Sequence, residues 1–320
     1  MDYPQAVQET EHLLQQVVDS DVEVLRDASR HVISAGGKRI RPRLTLLAYL
    51  AAGGQDLAEA VPLAAAVELV HTATLVHDDI NDHGLTRRGR PTINAIWGRT
   101  FALLTGDFLF TKVYELAAPY GDLNKMFADA TVTLVEGETL QAAAAKDDRL
   151  DRETYMRVIA KKTASLFAMA TRIGATLAKG TEAQVNALEQ FGFNVGLAYQ
   201  IVDDILDLTA DSVQLGKTAG IDVAQGRGLA TAMAHMNDNH SASAAGHTTA
   251  PVAVLEAPAA AIDPMDALKL KLMSGNYIAE GHQQADQLMA FGINALGVVP
   301  ASPAVDALIE LAHSMVDRDH

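Results

Sequence analysis

The sequence predicts an all-α protein, a large antiparallel bundle of helices around a central cavity. Three observations point there. Apolar residues recur at helical spacing through most of the chain, and no stretch alternates as a strand would. The breaks are short and carry Gly or Pro, as at Gly36-Gly37, Gly53-Gly54, Gly89-Arg90-Pro91, Pro119-Tyr120-Gly121 and Pro300. Of 320 residues, 49% are hydrophobic but only 5% aromatic. Such an alanine-rich composition suits helices that pack closely.

Taken in order, periodicity places helices over about 5–34, 42–52, 57–82, 91–118, 122–145, 151–179, 181–208, 224–238, 264–291 and 302–317. Pro42 suits a first helical turn, where its missing N–H costs nothing. The stretch from Asn237 to Ile262 is different, with a Ser/Ala/His/Thr run followed by Ala/Pro-rich sequence. It reads as a mobile surface loop.

Two aspartate clusters carry most of the functional information. Asp78-Asp79-Ile80-Asn81-Asp82 and Asp203-Asp204-Ile205-Leu206-Asp207 share the form D-D-x-x-D, each at the end of an apolar helix. Residues four apart lie one turn apart on a helix, so Asp78 aligns with Asp82 and Asp203 with Asp207. Like charges at that spacing weaken a bare helix, and a divalent cation is the simplest means of offsetting the repulsion. Mg²⁺ favours a few carboxylates on one side and phosphate oxygens on the other. Length alone suggests about two domains. The clusters lie about 120 residues apart and must meet in one cleft, so a single domain over 1–320 is expected.

Charge and composition exclude several alternatives. The formal net charge is -15, which disfavours nucleic acid as a partner. There is no cysteine, which removes disulfides and thiolate chemistry and suggests a cytoplasmic setting. The first residues are acidic and polar, unlike a signal peptide. No uncharged apolar run reaches the roughly 20 residues of a transmembrane segment.

In so acidic a chain, basic clusters are informative. Lys38, Arg39, Arg41 and Arg43 follow Gly36-Gly37 at a helix start, a place suited either to phosphate or to a solvated turn. Arg87-Arg88-Gly89 follows Asp82 closely. These arginines could pair with the aspartates or close over a bound diphosphate. His71 lies two turns before Asp78 on the same face, His77 off that face. Lys161-Lys162-Thr163, Gln200, Lys217, Asp222 and Arg227 complete a set of groups suited to two diphosphates and their metal ions.

These motifs, in this order, resemble those of the trans-isoprenyl diphosphate synthases, the polyprenyl synthetase family. The matching blocks are Gly-Gly-Lys38-Arg-Ile-Arg41-Pro, His71 through Asp82 with Arg87-Arg88-Gly, Lys162-Thr163, and Gln200 through Asp207 with Gly-Lys217. The resemblance implies a prenyltransferase that condenses isopentenyl diphosphate head to tail with an allylic diphosphate, working as a homodimer with Mg²⁺. It implies that Lys38, Arg41, His71 and Arg88 hold isopentenyl diphosphate. Asp78, Asp82 and Asp203 would hold Mg²⁺, with Asp79, Asp204 and Asp207 completing the catalytic clusters. Arg87, Lys162, Thr163, Gln200 and Lys217 would hold the allylic diphosphate. After the second cluster the family's Gly-Lys and Thr-Leu-Pro are replaced here by Gly226-Arg227-Gly228-Leu229-Ala230-Thr231, where Arg227 keeps the charge with different geometry.

The growing tail is expected to run from Asp78 back along its own helix, past Thr74, Ala73, Val70, Val67 and Ala66. In the family a bulky aromatic about five residues before the first aspartate stops growth at C15, and here that place holds Ala73. A product of C20 or longer is therefore expected, unless Phe101 or Phe108 from a neighbouring helix floors the channel. Two other readings stay open. One is a non-catalytic subunit of a heteromeric synthase; the other is a terpene cyclase, which needs no second diphosphate.

Overall fold

The computed structural model describes residues 1–147, 151–209 and 276–317. Its helices are α1 (Tyr3–Val17), α2 (Glu23–Ser34), α3 (Ile40–Ala51), α4 (Val61–Asn81), α5 (Ile93–Trp97), α6 (Arg99–Ala117), α7 (Asp122–Asp147), α8 (Arg152–Ile159), α9 (Ser165–Leu177), α10 (Glu182–Thr209), α11 (Tyr277–Ala295) and α12 (Pro303–Val316). The all-α expectation holds. Among the described residues the one departure is a hairpin of two-residue strands, β1 (Thr86–Arg87) and β2 (Arg90–Pro91). Arg88 and Gly89 turn it with φ of 52° and 71°, the positive values that tight hairpins need.

Several expected helices are divided, for local reasons. The 5–34 stretch breaks between α1 and α2, where Ser20 accepts from the Val22 N–H at 3.1 Å. Short polar side chains compete with helical bonds in this way. Gly98, at φ 84°, separates α5 from α6. In the 151–179 stretch a π-helical turn spans Ala160–Ala164 between α8 and α9. The last expected helix but one runs over α11, ending at Ala295 where the 264–291 expectation stopped short. The 224–238 helix and the 237–262 loop lie outside the described residues.

A large hydrophobic cluster reaches from Leu14 of α1 to Val316 of α12. Helix α4 is its axis. Pro62 sits in its first turn, and Leu63 to Val70 are almost wholly buried. Apolar residues surround this helix on all sides, as expected of a core helix. The segment Leu57–Asn81 is long and apolar enough to cross a membrane, but 78% of its apolar 18-residue window is buried inside the protein. Helix α4 packs along α6 and α3, α9 packs on α3 and α10, and α10 packs on α11. This arrangement leaves the C-terminal part of α4 opposite that of α10.

Candidate active site

The two acidic clusters meet. Asp78, Asp79 and Asp82 from the end of α4 and Asp203 from α10 line one cleft of about 400 Å³. Within each cluster the second aspartate is engaged by protein. Asp79 is buried and accepts from Arg87 Nε at 2.8 Å. Burial raises the Asp79 pKa, against the pull of Arg87. Asp204 is buried and accepts from Tyr155 Oη and from Gln200 Nε2, each at 2.8 Å. Asp207, only 3% exposed, is not among the residues lining the cleft. The six aspartates that look equivalent in the sequence therefore stand in different environments.

The basic groups divide too. Arg41, His71, Arg87 and Arg88 line the cleft. Arg41 is buried, and its Nε has no hydrogen-bond partner. Its guanidinium lies 4.8 Å from the centroid of the Phe167 ring. Burial lowers the pKa of Arg41. A desolvated guanidinium with an unused donor is suited to receive an anion. His71 is held well below its usual pKa, first by burial and then by Arg41, Arg88, Arg87 and Arg39, so it stays neutral at pH 7. Arg88 Nη1 donates to Gly36 O. Gly37, at φ 146°, leaves room for this side chain, since a Cβ there would lie 2.7 Å from Arg88 Nη1.

The other cations of the first basic cluster serve elsewhere. Arg39 is buried in a left-handed conformation, φ 46°, and donates to Glu11, to Glu68 Oε1 at 2.9 Å and to Ile33 O at 2.9 Å. Arg43 donates to Tyr3 Oη at 3.1 Å. Lys38 is exposed and is not among the residues lining the cleft.

Lys162 comes from the π-helical turn, a distortion common at functional sites. Its Nζ lies 3.4 Å from Asp78 and 2.7 Å from Glu138 of α7. Burial alone would lower its pKa, but Asp78 and Glu138 together outweigh that and raise it. Burial and the neighbouring Asp78 push Glu138 up to about 7, against the pull of Lys162. Gly137 permits the close approach of α7, since a Cβ there would lie 3.0 Å from the Lys162 backbone nitrogen. Thr163 Oγ1 donates to Gln200 Oε1 at 2.7 Å, which ties the π-turn to α10.

A sequence profile of the polyprenyl synthetase family matches residues 22–250. The chain belongs to the polyprenyl synthetase family. It is 43% identical over 225 residues to a short chain isoprenyl diphosphate synthase of Methanothermobacter thermautotrophicus, covering 68% of each chain. It is 36% identical over 313 residues to the octaprenyl diphosphate synthase of Haemophilus influenzae, covering 95% of this chain and 91% of that one. Its fold superposes with a TM-score of 0.87 on a polyprenyl synthase from Caulobacter crescentus crystallised with calcium and isoprenyl diphosphate. That pair is 31% identical, with 99% of this chain and 96% of that one covered.

As a polyprenyl synthetase the protein is a prenyltransferase. Of the positions expected to flank the growing tail, Thr74 lines the cleft, while Ala73, Val70, Val67 and Ala66 are fully buried. Phe101 is 41% exposed on α6 and is not among the residues lining the cleft. Phe108 is partly buried against the core, with Lys112 Nζ 5.4 Å from its ring centroid. Lys217 and Arg227 lie outside the described residues. Sequence reasoning missed Glu68, Glu138 and Tyr155. The signal for Glu138 was a lone acid beside Gly137, and for Glu68 an acid inside an apolar helix. Tyr155 offered none.

Proposed function

We propose that this polyprenyl synthetase condenses isopentenyl diphosphate with an allylic diphosphate to give an all-trans polyprenyl diphosphate of C20 or longer. The observation that carries the reading is the single cleft lined by Asp78, Asp82, Asp203, Lys162 and the buried Arg41. It brings carboxylates and cations into one cleft, as a metal-bound allylic diphosphate beside a second diphosphate needs.

Asp78, Asp82 and Asp203 would hold Mg²⁺. Among the described residues no three His, Asp or Glu side chains form a ready cage for a metal. Mg²⁺ keeps several waters and binds through one or two carboxylates plus substrate phosphates. When bound, it acts as a Lewis acid that offsets the negative charge growing on the departing diphosphate. Lys162 and Arg87 add fixed positive charge against the same group. The allylic C–O bond breaks with its electron pair leaving on diphosphate. The alkene of isopentenyl diphosphate attacks the resulting cation, and the departing diphosphate takes up the proton that is then lost. Arg41, Arg88 and neutral His71 hold the second substrate; Lys38, which the resemblance also assigns to it, stands outside the cleft lining. Lys217 and Arg227 complete the allylic site in this reading. Leu75 and Leu166 add apolar lining to the cleft, and such lining keeps water from the cation.

Product length tests the reading. With farnesyl and isopentenyl diphosphates, the expected products exceed C15, because Ala73 and Val70 present no aromatic barrier along α4. Replacing Ala73 with Phe is expected to shorten the product distribution. Accumulation of C15 alone by the unmodified enzyme defeats the length assignment. Turnover of the allylic substrate without isopentenyl diphosphate favours a cyclase instead, and inactivity of the isolated chain favours a heteromeric synthase.

The protein is proposed to act in the cytoplasm as a homodimer. Phe101, Leu103, Leu104 and Tyr114 of α6 and Val132 and Val135 of α7 are all 41–58% exposed. An exposed apolar face of this kind marks an interaction surface, and symmetric pairing of copies is the commonest way to cover one. Sedimentation should give twice the mass of one chain, and Leu104→Glu should return the monomer.

A further inference from the structure

We infer that Asp204 and Tyr155 form an orienting pair for Gln200, and that Tyr155 is thereby a positioning residue for the allylic diphosphate. This rests on the prenyl-transfer reading above. Tyr155 is only 1% exposed, on α8. Its hydroxyl donates to Asp204 Oδ2 at 2.8 Å, while Asp204 Oδ1 accepts from Gln200 Nε2 at 2.8 Å. Gln200 Oε1 in turn accepts from Thr163 Oγ1 at 2.7 Å.

Donors in this chain all run toward Asp204. Asp204 accepts from both Tyr155 and Gln200, so the nitrogen of the Gln200 amide faces Asp204. That settles which way the amide is turned, a choice that its shape alone leaves open. The consequence falls on the cleft, which Gln200 and Thr163 both line. The Gln200 nitrogen carries a second N–H, and this orientation keeps that N–H as the group offered to an anion. The opposite orientation would offer a carbonyl oxygen and repel it. The Thr163 hydroxyl proton is committed to Gln200, so Thr163 acts on an anion through Gln200. The same bond fixes the π-turn that carries Lys162. Asp204 is therefore read as a holder of Gln200, although in the sequence it stands beside Asp203 as an equal.

The test uses the full-length enzyme. Tyr155→Phe removes one donor while keeping the ring, and Asp204→Asn lets the side chain donate, so Gln200 is free to turn over. Each variant is expected to raise the KM for farnesyl diphosphate about tenfold. Calorimetric binding of inorganic diphosphate with Mg²⁺ should weaken by a similar factor. The KM for isopentenyl diphosphate should stay within about twofold, since Arg41 and Arg88 lie outside the network. The double variant should be no worse than Asp204→Asn alone, because both act on one group. Equal rises in both KM values, additive effects, or an unchanged allylic KM each overturn the inference. Should Tyr155→Phe fail to fold, the split measured for Asp204→Asn decides it. If the unmodified enzyme makes no product that depends on isopentenyl diphosphate, the functional reading fails instead, and the two failures are told apart by that control.

Discussion

Replacing Asp203 with Asn is expected to lower prenyl transfer by about 10²–10³-fold or more, with the fold intact. The same is expected of Asp78→Asn. Asparagine keeps the shape of the side chain but removes the charge that a divalent cation requires, so the loss reports on the electrostatics of the cleft rather than on packing. Stability should be spared for a structural reason. Lys162 loses one carboxylate in Asp78→Asn but keeps Glu138 at 2.7 Å, so no buried cation is stranded. Removing one of several like charges along a helix end also relieves repulsion. Steady-state turnover at saturating substrates, with a thermal melt of each variant, checks both halves. Turnover within about tenfold of the parent would contradict the assignment of these aspartates. A melt lowered in step with activity would assign the loss to folding.

Glu68→Ala is expected to destabilise the protein by about 3 kcal/mol, the lower part of the range for breaking a buried ion pair. Glu68 is 3% exposed and Arg39 7% exposed, and they meet at 2.9 Å. Losing Glu68 leaves the Arg39 guanidinium desolvated, with Glu11 as its remaining carboxylate. Glu11 is 37% exposed and screened by water, so it compensates only in part. The pair Arg39→Met with Glu68→Leu should lose less than the two single changes summed, because it removes both charges at once. Chemical denaturation of the four proteins gives the cycle. A loss below about 1 kcal/mol for Glu68→Ala would mean that water reaches this pair. A functional effect should accompany the structural one. Arg39 holds the turn between Gly37 and Arg41, so the KM for isopentenyl diphosphate should rise with the loss of stability.

What could be read from the chain was whatever repeats locally. Helical periodicity exposed α4 and α10, and the four-residue spacing placed Asp78 with Asp82 and Asp203 with Asp207 before any coordinates. Arg41, His71, Arg88 and Lys162 were legible as cleft residues because each sits in an ordered motif. The divisions at Ser20, Gly98 and the π-turn were not read, since periodicity continues through them. Arg39 shows the limit well. In sequence it is one of four neighbouring cations, yet it is pinned inward by acids 28 and 29 residues away, while Arg41 lines the cleft.

The sequence by itself determined the helical class and the paired aspartates, because these follow from spacing within single elements, and its ordered motifs carried the resemblance to the family. Only the tertiary structure decided how identical residue types divide between substrate and scaffold. Asp79 is taken by Arg87, and Asp204 by Tyr155 from 49 residues away. Lys162 reaches Asp78 across 84 residues, and Glu138 stands against both. The physical reason is that a side chain's role is set by whatever packs against it in a low-dielectric interior, and those neighbours are brought together by helix packing rather than by position along the chain.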